Sequence, residues 1–484
     1  MKKIFQMGLV ALVSVAMSET VMAQIGAPFI HDPATIMECD GKYYTWGTGG
    51  SPLVSSDGWV WSGEGGARIS VGAAPDMIKI GDRYLCAHSS TGGGLGGGHA
   101  GTIRTMWNKT LDPQSPDYEW TEQIQVAESL VDEDCDAIDA GLLLGPDGRL
   151  WVTYGTYFGF IRVVELDPAT GDRAAGAQDV NIAVDCEATT MIYQDGWYYL
   201  LGTHGTCCDG VNSTYNIVCG RSKSPTGPFI DNVGRDMIEG GGKMVLGCRD
   251  GYTGAGHFGR YIVADGVQKM SFHWEADYYQ SGRSTLAILP IVWRNGWPEA
   301  GYNIKNGVYE IESERRGYAL EIATEYVRLN AGRGMGGMFG GGGNNQPNTV
   351  IPFQKLEDVI GGWPTGNIDV RVIDYQFRPN QKWEVVALDE GALGTPYYKI
   401  VIAGTNRALA ATAGKELTTV PEFTGAPEQL WKIDQLVDGT YRVCPKAVPG
   451  TDEEVCLISV GDSNASLGKF DINDVNCKWN FRQY

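Results

Sequence analysis

Positive charge, histidine and long apolar runs are all scarce in this chain, and each shortage excludes something. Lys and Arg number 38 against 58 Asp and Glu, a formal net charge of −20. Nucleic acid and acidic membrane are excluded as partners because both require a cationic surface. Neutral polysaccharide is compatible with this charge. No segment reaches the roughly 18 apolar residues of a transmembrane helix. Almost no stretch keeps a helical period, so the chain reads as all-β. The six histidines all precede residue 274, and no cysteine spacing resembles a zinc site.

Cysteine is present, but in odd number. Eleven of them permit disulfides in an exported chain and leave at least one unpaired or paired outside it. Cys444 and Cys456 flank a Pro/Gly turn and could bridge; most of the others read as small buried hydrophobes. Export is expected from residues 1–23. Lys2 and Lys3, the apolar run Met7 to Met17, and "VMA" before Gln24 have the order of a secretory signal. The expected product is an exported monomer, periplasmic or extracellular.

The 461 residues after the signal exceed one ordinary core, and two domains are expected. Residues 24–302 repeat one phrase, a turn with Asp and Gly followed by an aromatic-rich strand. It stands at 39–48 ("CDGKYYTWGT"), 80–89, 146–156 and 194–206, with a weaker copy at 264–279. Asp-Gly before alternating aromatic and β-branched residues is a hairpin signal. Five copies suit the blades of a small β-propeller better than a sandwich.

Residues 304–484 contain no histidine and repeat differently. Trp383, Trp431 and Trp479 stand 48 residues apart twice over, each closing a Gln-x-Trp-like strand. Three such units indicate a β-trefoil. The first is enlarged by the glycine-rich stretch 330–348, read as a surface loop.

Three carboxylates stand where blades could aim them at a common axis. Asp32 lies in "HDPATI", Asp139 in "AIDAGLLLGPDG" and Glu187 in "CEATTMIYQDG", each ahead of an Asp-Gly turn. Glycoside hydrolysis needs such a set, with one carboxyl kept protonated and another ionised.

With these motifs, and with "GAGHFG" (254–259) and "GRSTLAI" (282–288) in the same order, residues 28–298 resemble the family 43 glycoside hydrolases, and among them the arabinanase-like members. The resemblance implies a five-bladed propeller that hydrolyses with inversion. It makes Asp32 the general base, Glu187 the general acid and Asp139 the neighbour that raises and orients Glu187. His31 would help hold Asp32. His257 would sit at a cation, Ca2+ first, through waters, although a hydrogen-bonded structural histidine is the competing reading. Asp76, Tyr157, Phe158 and Arg283 would line the sugar, against blade packing or a surface salt bridge as the alternatives. No organic cofactor is expected. Residues 304–484 look like a ricin-type trefoil, a carbohydrate-binding appendage or a structural cap.

The chain departs from the arabinanase pattern in places. "AAPD" (73–76) replaces a Trp-led motif, "IDAG" (138–141) replaces Ile-Asp-Pro, and Cys477 replaces the third Gln. The substrate expected is a plant polysaccharide or oligosaccharide with α-1,5-linked L-arabinofuranose. A β-xylosidic or galactan substrate is the alternative, and a non-catalytic sugar-binding protein is the alternative of another class.

Overall fold

Every Asp-Gly phrase closes a hairpin between the first two strands of a sheet. Asp40 and Gly41 turn Met37–Cys39 into Lys42–Trp46 with φ of 52° and 74°, and Asp195 and Gly196 turn Glu187–Gln194 into Trp197–His204 with 51° and 79°. Two successive residues at positive φ match the twist of the paired strands, and Asp and Gly tolerate that backbone. The computed structural model describes residues 26–91, 99–262, 264–324, 356–388 and 396–483. Residues 1–23, expected to be a secretory signal, and the stretch 330–348 lie outside the described residues.

Five antiparallel sheets follow one another along the chain, the first of three strands and the other four of four. Each gap between neighbouring sheets holds its own apolar cluster. The last of these joins Ile30, Leu53 and Trp61 to Tyr261, Leu286 and Ile288, so the fifth sheet packs back on the first and the ring closes. The segment before Asp32 stitches that closure: Leu286 N donates to Pro28 O at 2.8 Å, and Gly26 bridges to Trp61. This is the expected five-bladed propeller.

A trefoil occupies the C-terminal part, in a sheet of 12 strands among the described residues. Trp383, Trp431 and Trp479 are fully buried in one core. Their indole N–H groups donate to the carbonyls of Leu320, Leu409 and Leu457 at 2.8, 3.0 and 2.9 Å. One buried donor and one partner per unit is what low dielectric demands. The separations are 63, 22 and 22 residues, and the first contains the insertion. Gln381 and Gln429 are buried and accept the N–H of Gln376 and Thr424, each at 2.7 Å. They are core groups. Glu321 is also fully buried, against Arg371 at 2.7 Å.

The trefoil packs on strand ends remote from the carboxylates. Lys269 Nζ lies 2.8 Å from Asp434, and Arg442 reaches both Asp434 (2.9 Å) and Asp265 (2.8 Å). Val267 joins Leu436 and Phe470 in a small apolar cluster, and Trp293 N donates to Val437 O at 2.7 Å. Cys444 and Cys456 form a disulfide. Cys39, Cys86, Cys135, Cys186, Cys219 and Cys477 are buried free thiols, whereas Cys208 and Cys248 are exposed.

Candidate active site

Asp32, Ala74, Asp139, Ala188 and His257, one per blade, all have positive φ, at 51°, 45°, 57°, 47° and 57°. Pairing in the second, fourth and fifth blades slips beside Ala74, Ala188 and His257. A bulge of this kind re-aims a side chain, and a left-handed residue is costly outside glycine, so the fold holds it in place. Inner strands of successive blades adjoin one another, and these bulges bring Asp32, Asp139, Glu187 and His257 into one electrostatic cluster.

Asp32 is held as an anion. His31 Nδ1 lies 2.9 Å from its Oδ2, and Thr48 Oγ1 donates to the same oxygen at 2.6 Å. His257 Nδ1 faces Oδ1 at 3.6 Å, beyond hydrogen-bond length, so its effect is one of charge. Burial alone would raise the Asp32 carboxyl, but His257 and His31 outweigh it and hold the group well below the ordinary range. His31 is pushed up to about 11: burial opposes its charge, but Asp32 and Glu275 flank it and prevail.

Glu187 is the opposite case. It is 7% exposed, and burial first, then the charges of Asp139 and Asp32, push it up to about 10. Asp139 accepts the N–H of Ala188 at 3.2 Å, one residue beyond Glu187. Burial and the charge of Asp32 raise it to about 7. One carboxyl stays ionised and another protonated at neutral pH.

The remaining sequence candidates are placed variously. Tyr157 belongs to the cluster, since its hydroxyl feels the charge of Glu187 and lies 3.8 Å from Cys207 Sγ. Phe158 packs on Tyr157 (ring centroids 4.6 Å apart) and is 48% exposed. The exposed Arg283 stacks over the Phe29 ring at 3.5 Å. Asp76 differs from expectation. It is 3% exposed, and its two oxygens accept the N–H groups of Thr35 (3.0 Å) and Leu142 (2.8 Å). Both oxygens are engaged with backbone in neighbouring blades, so Asp76 acts as a staple between them.

His273, Glu275 and Thr48 escaped the sequence reading. The alternation in "SFHWEAD" puts His273 and Glu275 on one strand face, a signal that was available. His31, His273 and Glu275 offer ligand atoms within 4.8 Å of one another, but hydrogen bonding argues against a metal there. Asp32 N donates to His273 Nδ1 at 3.1 Å, so Nδ1 carries the lone pair and Nε2, which faces Glu275, carries the proton. A protonated nitrogen cannot ligate. His257 Nδ1 is buried with no hydrogen-bond partner among the described residues. An orphaned imidazole nitrogen without an oxygen cage does not make a direct Ca2+ site, though it fits the edge of a hydrated ion.

A closed all-β propeller with one ionised and one protonated carboxyl in its central cluster is the framework of a glycoside hydrolase. The comparisons agree. The chain belongs to the glycosyl hydrolases family 43, whose model matches residues 34–298, more than half of it. A ricin-type beta-trefoil lectin domain-like model matches residues 379–449. The chain is 36% identical over 183 residues to extracellular endo-alpha-(1->5)-L-arabinanase 1 of Bacillus subtilis, covering 37% of this chain and 55% of that protein. It is 30% identical over 279 residues to extracellular exo-alpha-(1->5)-L-arabinofuranosidase ArbA of Cellvibrio japonicus, covering 54% and 74%. Among solved structures, an exo-1,5-alpha-L-arabinanase from a bovine ruminal metagenomic library matches with a TM-score of 0.51 and 30% identity, over 57% of this chain and 97% of that one.

Proposed function

We propose that this protein is an exported, monomeric, inverting glycoside hydrolase that cleaves α-1,5-linked L-arabinofuranosyl bonds of arabinan or its oligosaccharides. The observation that carries the reading is the split between the carboxyls. Asp32 is kept ionised by its imidazole neighbours, and Glu187 is kept protonated by burial and by Asp139. In the reaction, Asp32 takes the proton of a water that attacks the anomeric carbon, while Glu187 protonates the departing oxygen. Asp139 keeps that proton on Glu187 until it is needed. The relatives named above, by what their names say they hydrolyse, support arabinan as the substrate.

A hydrated divalent cation beside His257 belongs to this reading as an organising ion, and no step runs through it. Elemental analysis and assay after exhaustive chelation test it; full activity in metal-free protein removes it. Incubating the purified protein with arabinan, xylan and galactan, with the first-formed sugar followed by proton NMR, tests the whole reading. Arabinose or arabino-oligosaccharide of inverted configuration is expected. A retained anomer, or release from xylan or galactan alone, refutes it.

A further inference from the structure

Glu275 has no place in the division of labour just given, yet it is bonded to the two histidines within hydrogen-bond distance of Asp32, His31 and His273. Its Oε1 lies 3.0 Å from His31 Nε2 and 3.4 Å from His273 Nε2, and the residue is 4% exposed. The directions of these bonds follow from the partners. His31 faces a carboxylate at each ring nitrogen, Asp32 at Nδ1 and Glu275 at Nε2. Two acceptors require two donors, so the ring is an imidazolium. His273 accepts the Asp32 N–H at Nδ1 and therefore donates from Nε2 to Glu275. The rings lie against each other with centroids 4.2 Å apart, which leaves His31 little freedom to rotate.

The consequence falls on the base. Asp32 Oδ2 is engaged by His31 and by Thr48, whereas among the described residues Oδ1 has no donor closer than His257 at 3.6 Å. A base can receive a proton only on an oxygen with a lone pair to spare. Oδ1 is therefore the oxygen that works, and the bonds at Oδ2 and at the backbone N–H set its aim. We propose that Glu275 is a positioning residue for the general base, fixing Asp32 through His31 and His273 so that Oδ1 is presented to the attacking water. This rests on the role given to Asp32 above and adds to it a second acidic residue, 243 positions away in sequence.

A double-mutant cycle in the full-length protein tests it, on whichever aryl glycoside of an arabinofuranoside, xyloside and galactoside panel the wild type hydrolyses. Glu275→Ala removes the acceptor. Glu275→Gln keeps an oxygen but not the charge, and serves should the alanine variant not fold. Glu275→Ala is expected to lower kcat about 10²-fold, within the range of a general-base contribution, and Glu275→Gln about tenfold, with KM changed less than twofold in each. In an Asp32→Asn background the same changes should cost under about twofold, because a group that acts through the base has nothing left to act on. Equal losses in both backgrounds would make Glu275 merely structural and overturn the proposal. A crystal structure of either variant reads the geometry without turnover: His31 turned from Asp32 is expected, and an unmoved His31–Asp32 pair counts against the idea. A wild type that cleaves none of the panel defeats the hydrolase reading, and the variant structure still decides whether Glu275 positions Asp32.

Discussion

Asp76 accepts the backbone N–H of Leu142 at 2.8 Å while its other oxygen holds Thr35 N at 3.0 Å. One buried carboxylate thus ties the inner edges of three successive blades. Hydrogen bonds to a charged group contribute about 1.5–3 kcal/mol each, and an unpaired buried N–H is costly. Asp76→Ala should therefore destabilise the propeller by about 2–4 kcal/mol, with Asp76→Asn intermediate because its amide keeps one acceptor. Urea denaturation measures this. A variant with wild-type stability and a raised KM would return Asp76 to the sugar cleft.

The repeats were legible because they are local. Asp195-Gly196 before "WYYLLG" specifies a hairpin by turn chemistry and alternation, and the 48-residue tryptophan spacing marks a buried indole in each trefoil unit. Asp32, Asp139 and Glu187 were legible as members of long motifs. Glu275 was not, because His31 meets it across 244 residues, a contact made only when the fifth blade closes on the first. The backbone contacts of Asp76 were hidden for a related reason. Its motif shows a carboxylate near the axis, but not that a bulge turns it toward two backbone N–H groups.

The contact between propeller and trefoil centres on Asp434, which is 2% exposed between Lys269 and Arg442. Asp434→Ala leaves the buried Lys269 without its anion and Arg442 with Asp265 alone, and should cost about 3–5 kcal/mol. A chain ending near Gly301 uncovers Val267 and Lys269, so its Tm should fall. Because the trefoil meets strand ends remote from the carboxylates, that chain should still hydrolyse aryl glycosides. A truncated protein that is folded but inactive would mean that the trefoil shapes the site.

Asp139→Asn should move the alkaline limb of the kcat/KM profile to lower pH. Glu187 must be protonated to act, and its raised value owes most to burial and next most to the charge of Asp139. Removing that charge lowers the pH at which Glu187 loses its proton, but burial remains, so the limb should not fall to an ordinary carboxyl value. An unmoved alkaline limb would remove Asp139 as the group that tunes the acid.

Glu187 should also cost stability as pH rises. Its folded-state value of about 10 lies above the ordinary 4.5, so the folded chain binds this proton more tightly than the unfolded chain. The stabilisation is complete below about pH 4.5 and is lost progressively as pH climbs toward 10. Glu187→Gln mimics the protonated form at every pH. Its Tm should exceed that of the wild type at pH 8 and converge with it near pH 4. A constant difference across this range would show that the group is not held protonated.

The two carboxyls should separate by leaving group. Protonation by Glu187 matters only as far as the departing oxygen is a poor leaving group. Glu187→Gln should thus cripple arabinan cleavage while sparing aryl arabinofuranosides with acidic phenols. Asp32→Asn removes activation of water, which every substrate needs, and should lower both rates by a similar factor of about 10²–10⁴. Plotting log kcat/KM against phenol pKa reads the difference directly, with a steep slope for Glu187→Gln and a wild-type slope for Asp32→Asn. If the slopes are exchanged, then the residue beside the imidazolium is the acid and the buried one the base, and the two roles must be reversed.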